Sequence, residues 1–359
     1  MLALILFTIV VLCCWTTYKV EQYTISAIPI KTYTTIASIC NNYVTSMDMH
    51  GQLVLKSGKD LEHDYFGMDH YSIEQFIHVV TYGTYKFNRE TNTIIEQVKH
   101  ISDSLCKCDS NVPQMCQNIG CDVVGWFGKA GITPVQGITN ILLVPEQVGC
   151  NFSGRSDIVY KGGINIQGLV HEIGHNVFGL DHASRICSTQ LGRATTTCSP
   201  SSCCIDVDKG TSLIGDYTCL MGYGPGKFFN VVYAHTQMKC AIPLHVYDSI
   251  RDKGVFTHRL MALELTRINC VIITGNDGSN WYISYHKKND TKFYDGMYDL
   301  PPDLADAVYV HKSEKNGKLS CLYGSVCAYD TDRAFADGMF FLSCSRTDGI
   351  IADIVIKLV

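Results

Sequence analysis

The chain has 359 residues, of which 46% are hydrophobic and 18% charged, and its formal net charge is −5. This length allows one large or two medium domains with a full core, and the composition is that of a globular protein. Because the basic residues are scattered and the net charge is negative, we expect no nucleic-acid-binding surface.

The N-terminus is an apolar run of about 15 residues, MLALILFTIVVLCCW. A run of this length is short for a membrane span and typical of a secretory signal. The sequence therefore predicts a signal peptide over residues 1–18 and a secreted, extracellular protein; the alternative is an uncleaved N-terminal membrane anchor. We expect no stable membrane insertion after removal of the signal, since no later segment is long and apolar enough to span a bilayer.

Cysteine usage agrees with export. The chain has 18 cysteines, and removal of the signal with Cys13 and Cys14 leaves an even number. In an exported chain without tandem CxxC pairs, the clustered cysteines favour disulfide bonds over zinc–thiolate sites. Asn151 and Asn289 begin N-glycosylation triplets, which fit a secreted glycoprotein.

Residues 19–60 alternate polar and apolar positions and are either a propeptide or the first strands of the following domain. A helix is predicted to begin after Ser72, a candidate N-cap, because apolar residues then recur on one helical face. The segment ETNTIIEQVKHI, residues 90–101, is a strand or an amphipathic helix, and its periodicity does not decide between them.

Two strands and a helix are predicted next. The apolar run ITNILLVPEQ ends at Pro145 and is typical of a buried strand, and RSDIVYKGGINI is a second strand candidate. In INIQGLVHEIGHNVFG, Leu169, Ile173 and Val177 form a stripe at helical spacing, and Gly179 is the expected C-terminal stop.

Beyond about residue 245 the chain consists of short alternating stretches separated by turns. Strand candidates at this spacing predict a small β-sandwich as a second domain. The border between the two domains is expected near Pro243.

The helix carries a possible metal site. Residues four apart share a helical face, so His171 and His175 can direct imidazole nitrogens at one zinc ion. Glu172 would lie beside that ion, where a carboxylate can take a proton from zinc-bound water. The HExxH pattern is short and occurs by chance in some chains, in which case both histidines would simply pack on the helix face.

A third ligand, His182, requires a reversal of the chain. On an unbroken helix it would lie about 10 Å beyond His175, because each residue adds about 1.5 Å along the axis. Gly179 can adopt the left-handed conformation that such a turn needs. A helix, a glycine and a third histidine together predict a closed three-histidine site.

The stretch HEIGHNVFGLDH resembles the metzincin zinc-peptidase signature, HExxHxxGxxH. Metzincins also place a methionine turn below the metal, and DYTCLMGYGPGKFFN supplies Met221 in the corresponding region. Within that clan the chain is similar to the gametolysin (autolysin) family. The similar stretches are TYGTYKFN, NILLVPEQVGC, the MG…FN segment and NWYISYHKKND.

The resemblance implies an α+β metzincin-like catalytic domain over residues 61–243, with a twisted mixed sheet, long helices and a Met-turn. A small all-β sandwich-like domain would follow over residues 244–359. It also implies that Met221 supports the site by packing and that Tyr223 is either an assisting residue or a packing residue. The strand SDIVYKGGI would be the edge along which an extended substrate peptide pairs.

One departure from the signature affects the ligand set. Three residues separate His175 from Gly179, where the family has two, while the spacing from the glycine to the histidine is intact. A bulge or a longer last helical turn could absorb the extra residue. Asp181 occupies the register of the third histidine and could bind zinc through oxygen instead of His182.

These features predict a secreted zinc metalloendopeptidase that hydrolyses extracellular or cell-wall proteins or glycoproteins. Zn²⁺ would be held by His171, His175 and His182, with Glu172 as the general base toward zinc-bound water. The alternative is a metzincin-like secreted binding protein in which the extra residue has impaired catalysis.

Overall fold

The computed structural model describes the chain in sixteen segments, and the structural statements below concern these residues. The segments are 27–39, 44–47, 53–55, 58–67, 72–101, 127–128, 131–145, 152–153, 157–161, 165–185, 216, 218–222, 228–263, 269–287, 306–328 and 332–359. The predicted signal peptide, the candidate glycosylation residues Asn151 and Asn289, and Tyr223 lie outside them.

The described structure is mixed, with more strand than helix. Its helices are α1 (Gly58–Phe66), α2 (Ile73–Val80), α3 (Ile166–Val177) and α4 (Val231–Thr236). Up to residue 161 its strands are β1 (Ile28–Pro29), β2 (Thr32–Ile39), β3 (Thr45–Met47), β4 (Leu53–Leu55), β5 (Tyr85–Lys86), β6 (Asn92–Ile101), β7 (Thr139–Val144), β8 (Phe152–Ser153) and β9 (Asp157–Lys161).

The later strands are β10 (Ser184–Arg185), β11 (Leu244–Asp248), β12 (Gly254–Met261), β13 (Cys270–Thr274), β14 (Asn280–His286), β15 (Ala307–Glu314), β16 (Leu319–Cys327), β17 (Arg333–Phe335), β18 (Phe340–Thr347) and β19 (Ile351–Leu358). Short turns at Lys315–Gly317 and Ala336–Gly338 precede β16 and β18.

The first half is built on a five-stranded mixed sheet of order β6-β2-β7-β9-β8. Four strands run parallel, and β8 pairs antiparallel with β9. β7 is buried at all six positions, as expected for a strand covered on both faces. Because β2 lies between β6 and β7, residues 32–39 form a strand of this sheet.

Several local predictions are confirmed. The Ser72 side chain accepts a hydrogen bond from the Gln75 amide, and α2 buries its apolar face from Ile73 to Val80. The segment 90–101, for which the sequence left strand and helix open, forms the strand β6. The expectation that SDIVYKGGI forms the sheet edge is wrong, because β8 pairs with β9 at Ile158 and Val159 and is itself the edge among the described strands.

The strands after α4, together with β10, form two sheets. The larger has the order β10-β16-β15-β14-β13-β11, and the smaller has the order β12-β19-β18-β17. Apolar side chains from both sheets share one core, which includes Ile283, Val310, Phe340 and Ile356. The opposite face of the larger sheet contributes Ile272 to the core that also contains α3 and α4.

The two halves are therefore joined through this sheet. One of its strands, β10, precedes the expected border at Pro243 and directly follows the region of His182. Because β10 pairs parallel with β16, the chain next to the third histidine is a strand of the C-terminal sheet.

Cys219, Cys240 and Cys270 are buried free thiols, so the expectation of disulfide bonds is wrong for these three. Burial raises the pKa of the Cys240 thiol to about 11, which keeps it protonated and unreactive at neutral pH. Pairing among the remaining cysteines stays a prediction. In the described part of the chain, no helix has the length and hydrophobicity needed to cross a bilayer.

Candidate metal centre

Helix α3 sets the spacing of the first two histidines. It begins after Asn165, whose side chain accepts a hydrogen bond of 3.1 Å from the Gly168 amide. Leu169 and Ile173 are fully buried against the core, whereas His171 and His175 remain partly exposed. The helix is thus fixed by its apolar face, and its two histidines lie one turn apart at the solvent-accessible edge.

The helix ends where the sequence predicted, and Gly179 has a φ of +65°. The Leu180 amide donates to the Gly174 carbonyl at 3.1 Å. The donor residue lies six positions after the acceptor residue, whereas the separation in the common Schellman ending is five positions. The wider turn at the end of α3 accommodates the extra residue before the glycine and reverses the chain toward His182.

The reversal brings all three histidines together. His175 Nε2 lies 3.1 Å from His171 Nε2 and 3.0 Å from His182 Nε2. Among the described residues, these three histidines are the group whose potential ligand atoms lie within 4.8 Å of one another. Asp181, the alternative ligand, is exposed and does not belong to that group.

Main-chain carbonyls hold two of the imidazole rings. His171 Nδ1 lies 2.8 Å from the Leu220 carbonyl oxygen, and His175 Nδ1 lies 2.6 Å from that of Leu180. A carbonyl oxygen only accepts, so each Nδ1 must carry the proton that it donates. In the neutral rings both Nε2 atoms are then unprotonated, and their lone pairs face each other.

Two bare lone pairs at 3.1 Å cannot hydrogen-bond to each other, so a proton or a cation is needed between them. Burial lowers the pKa of His171 to about 4, with the Leu220 hydrogen bond acting in the opposite direction and neighbouring His175 lowering it further. Burial, followed by the neighbouring histidines, also lowers the pKa of His182 to about 4. These low pKa values disfavour a proton on the rings at neutral pH, and the three imidazoles together could hold a metal ion.

The pKa of His175 is also lowered, chiefly by burial, although its bond to the Leu180 carbonyl and the Asp181 carboxylate act against the shift. The spacing suits zinc: a tetrahedral ion with Zn–N bonds of about 2.0–2.1 Å separates its nitrogen ligands by about 3.3 Å. The observed Nε2–Nε2 distances of 3.0 and 3.1 Å are shorter than that value by only a few tenths of an ångström.

Glu172 lies on α3 and belongs to its buried residues, with an exposed fraction of 9%. A carboxyl group with this degree of burial has little contact with bulk water, which suits a group that exchanges protons. Its position next to His171 in the chain follows from the motif.

Met221 lies directly beneath α3 and is fully buried. A Cβ atom built on Gly174 would lie 2.6 Å from Met221 Sδ, so the glycine provides the space in which the sulfur packs. The same turn supplies the Leu220 carbonyl to His171, and the Met221 carbonyl accepts a hydrogen bond from the Ala183 amide at 2.9 Å. Met221 therefore packs below the site, and its turn connects the helix to the loop that carries His182.

Sequence reasoning named the three histidines, Glu172 and Met221, but it missed the groups that orient the rings. The carbonyls of Leu180 and Leu220 are main-chain atoms, so no residue type signals them in a sequence. Gly174, inside the HExxH pentapeptide, could have been singled out, since a glycine within a helix often marks a close approach by a neighbour.

Comparisons with protein-family models, with curated proteins and with solved structures gave no match for this chain.

Proposed function

We propose that the protein is a zinc-dependent endopeptidase of metzincin type, secreted and acting on extracellular or cell-wall proteins. The observation that carries the proposal is the pair of unprotonated Nε2 atoms on His171 and His175, 3.1 Å apart, with His182 Nε2 3.0 Å from His175. Three imidazoles, two of which have their Nδ1 atoms fixed by main-chain carbonyls, are the donor set of a catalytic zinc site that keeps a position open.

The histidines would hold the ion, with Leu180 and Leu220 fixing the rings of His175 and His171. When bound, zinc would supply Lewis-acid chemistry by polarising the scissile carbonyl and lowering the pKa of water toward 7. A carboxylate oxygen of Glu172 would take the proton from the attacking water and pass it to the nitrogen of the leaving amine. Met221 would keep the helix and the His182 loop in register without touching the reacting atoms.

An extended substrate could add to the mixed sheet at β8, the edge strand in the described part of this sheet. β8 contacts α3, the helix that carries His171 and His175. Strand addition would supply main-chain hydrogen bonds that do not depend on side-chain sequence. This mode of binding suits an enzyme that cleaves within extended segments of protein.

Metal content and proteolysis of a generic protein substrate test the proposal together. Wild-type protein should contain about one zinc ion per chain and lose cleavage on treatment with a chelator. His175→Ala should lose both zinc and cleavage, whereas Glu172→Ala should keep zinc and lose cleavage. His235→Ala is the matched control, because this histidine is hydrogen-bonded to Tyr282 outside the cluster.

The outcomes separate the alternatives. Wild-type protein without zinc would refute the metal site, and cleavage unaffected by Glu172→Ala would refute the assigned base. Zinc binding without cleavage in the wild type would favour a secreted binding protein. Zinc retained in His182→Ala but lost in Asp181→Ala would make the aspartate the third ligand.

A further inference from the structure

The loop that carries His182 is tied to the C-terminal half on its N-terminal side. The Asp181 amide donates to the Lys318 carbonyl at 2.9 Å, and the Asp181 carbonyl accepts from the Tyr233 hydroxyl at 2.9 Å. The Tyr233 hydroxyl in turn accepts a hydrogen bond from the Ser320 amide at 3.2 Å. Lys318 and Ser320 flank the start of β16, so this side of the loop is held by the larger C-terminal sheet.

The other side of His182 is tied in the same way. The Ala183 amide donates to the Met221 carbonyl at 2.9 Å, and the Ala183 carbonyl accepts from the Asp216 amide at 3.3 Å. The next two residues form β10, in which Ser184 and Arg185 pair with β16. Three main-chain hydrogen bonds and one from the Tyr233 hydroxyl therefore fix the two residues that flank the third histidine.

A buried polar network connects Asp216 and Tyr233, which hold Ala183 and Asp181, to the C-terminal sheet. Asp216 and His311 are both 0% exposed, and His311 Nε2 lies 3.1 Å from Asp216 Oδ2. Asp216 also accepts hydrogen bonds from the Thr218 amide at 2.9 Å and hydroxyl at 2.6 Å. The Asn230 amide group donates to the Ser320 hydroxyl at 2.8 Å. His311 lies on β15 and Ser320 on β16, so Asp216 and Tyr233 are both attached to the C-terminal sheet.

His182 needs such support more than the other two histidines do. The spacing of His171 and His175 is set by α3, whereas His182 lies on a loop whose backbone could adopt many conformations. A ligand that is ordered only on metal binding reduces affinity by the conformational entropy that it loses. The contacts of Asp181 and Ala183 remove that freedom in advance.

We propose that the C-terminal sheet is a positioning element of the metal centre: through Tyr233 and the buried Asp216–His311 pair it holds His182 in its ligating position before the divalent cation binds. This inference rests on the proposed zinc site and assigns to the residues beyond Pro243 a part in metal affinity. Tyr233 acts through Asp181 and Ser320 and does not contact the ion.

Tyr233→Phe removes the hydroxyl that links Asp181 to Ser320 while preserving the buried ring. We expect the zinc dissociation constant of the full chain to rise by about 10–100-fold, the usual effect of losing an outer-shell partner. The visible absorption of the Co²⁺-substituted protein should change as well, because the third ligand no longer has one fixed position. Tyr282→Phe is the matched control; its hydroxyl lies 3.0 Å from His235 Nδ1, outside this network, and its zinc affinity should equal that of the wild type.

Amide hydrogen exchange in zinc-free wild-type protein tests the same inference without a substitution. The amides of Asp181 and Ala183 should exchange as slowly as those of β16, since both donate to carbonyls of the anchoring elements. Exchange at the rate of an open loop would overturn the inference.

Wild-type zinc affinity in Tyr233→Phe, in a wild-type protein that binds zinc, would overturn the positioning role and leave the proposed function intact. Absence of zinc binding in the wild type would overturn the proposed function, and this inference with it.

Discussion

Replacing Gly174 with alanine tests how the turn around Met221 supports the helix that carries His171 and His175. A Cβ atom at this position would lie 2.6 Å from Met221 Sδ and 3.1 Å from Phe229 Cε1. Both neighbours are 0% exposed, so neither has open space into which it could move. The added methyl group must therefore displace the helix, the turn or both.

Two opposing effects set the size of the change. Alanine is better than glycine in a helix interior by about 1 kcal/mol. An extra carbon in a filled core costs about 1–3 kcal/mol, and a contact this short belongs at the upper end of that range. We expect the free energy of unfolding to fall by about 1–2 kcal/mol.

The same displacement should weaken the metal site. The turn supplies the Leu220 carbonyl to His171 and the Met221 carbonyl to the Ala183 amide, next to His182. A shift of the turn would therefore disturb His171 and His182, two of the three proposed ligands, and we expect the zinc dissociation constant to rise at least about tenfold.

Urea unfolding of the zinc-free protein gives the stability change, and competition with a chromophoric chelator gives the zinc affinity. Gly128→Ala is the control, because nothing lies within 4 Å of a Cβ atom at that position. If Gly174→Ala unfolded and bound zinc like the wild type, Met221 could not be packed against this face of the helix.

Three further predictions follow from the site and its supports. Gly179→Ala should lower the free energy of unfolding by about 1–2 kcal/mol and weaken zinc binding, because Gly179 has a φ of +65° and the space around it is open. Gly179→Asn should be tolerated better, and equal effects of the two substitutions would contradict the backbone explanation. Zinc at a thousand times its dissociation constant should raise the free energy of unfolding of the wild type by about 4 kcal/mol and leave His175→Ala unchanged, as measured by urea titration with and without metal. Burial raises the pKa of Asp216, but the charge and hydrogen bond of His311 and the bonds from Thr218 outweigh it and lower the pKa. The ionised carboxylate therefore stabilises the fold above its unfolded pKa of about 4, and this contribution is lost as the pH falls through the lower folded pKa. In Asp216→Asn the free energy of unfolding should fall less steeply with decreasing pH in the acid range, and an unchanged slope would refute the assignment.

Local sequence signals predicted several of the described elements correctly. Ser72 as a helix cap, Gly179 as a left-handed stop and the strands beyond residue 245 depend on neighbours within a few residues, whose sterics and hydrogen bonds act in any context. Where local preference was balanced, as in the segment that forms β6, pairing with β2 decided the outcome. The assignment of β9 as the sheet edge failed because β8 pairs with it antiparallel, and the sequence does not specify pairing partners.

The spacing of His171, Glu172 and His175 is a property of the sequence, because any α-helix places residues four apart on one face. The sequence does not determine whether His182 or Asp181 lies beside these two histidines. That depends on the hydrogen bond from the Leu180 amide to the Gly174 carbonyl and on contacts with distant strands. The groups that fix the ring nitrogens and the third histidine come from residues 180, 220, 233 and 318, and much of that support arises far along the chain. Helical periodicity sets the positions of His171 and His175 locally. Only the packed sheet and turn fix His182, because a loop has no single preferred conformation until other elements pack against it.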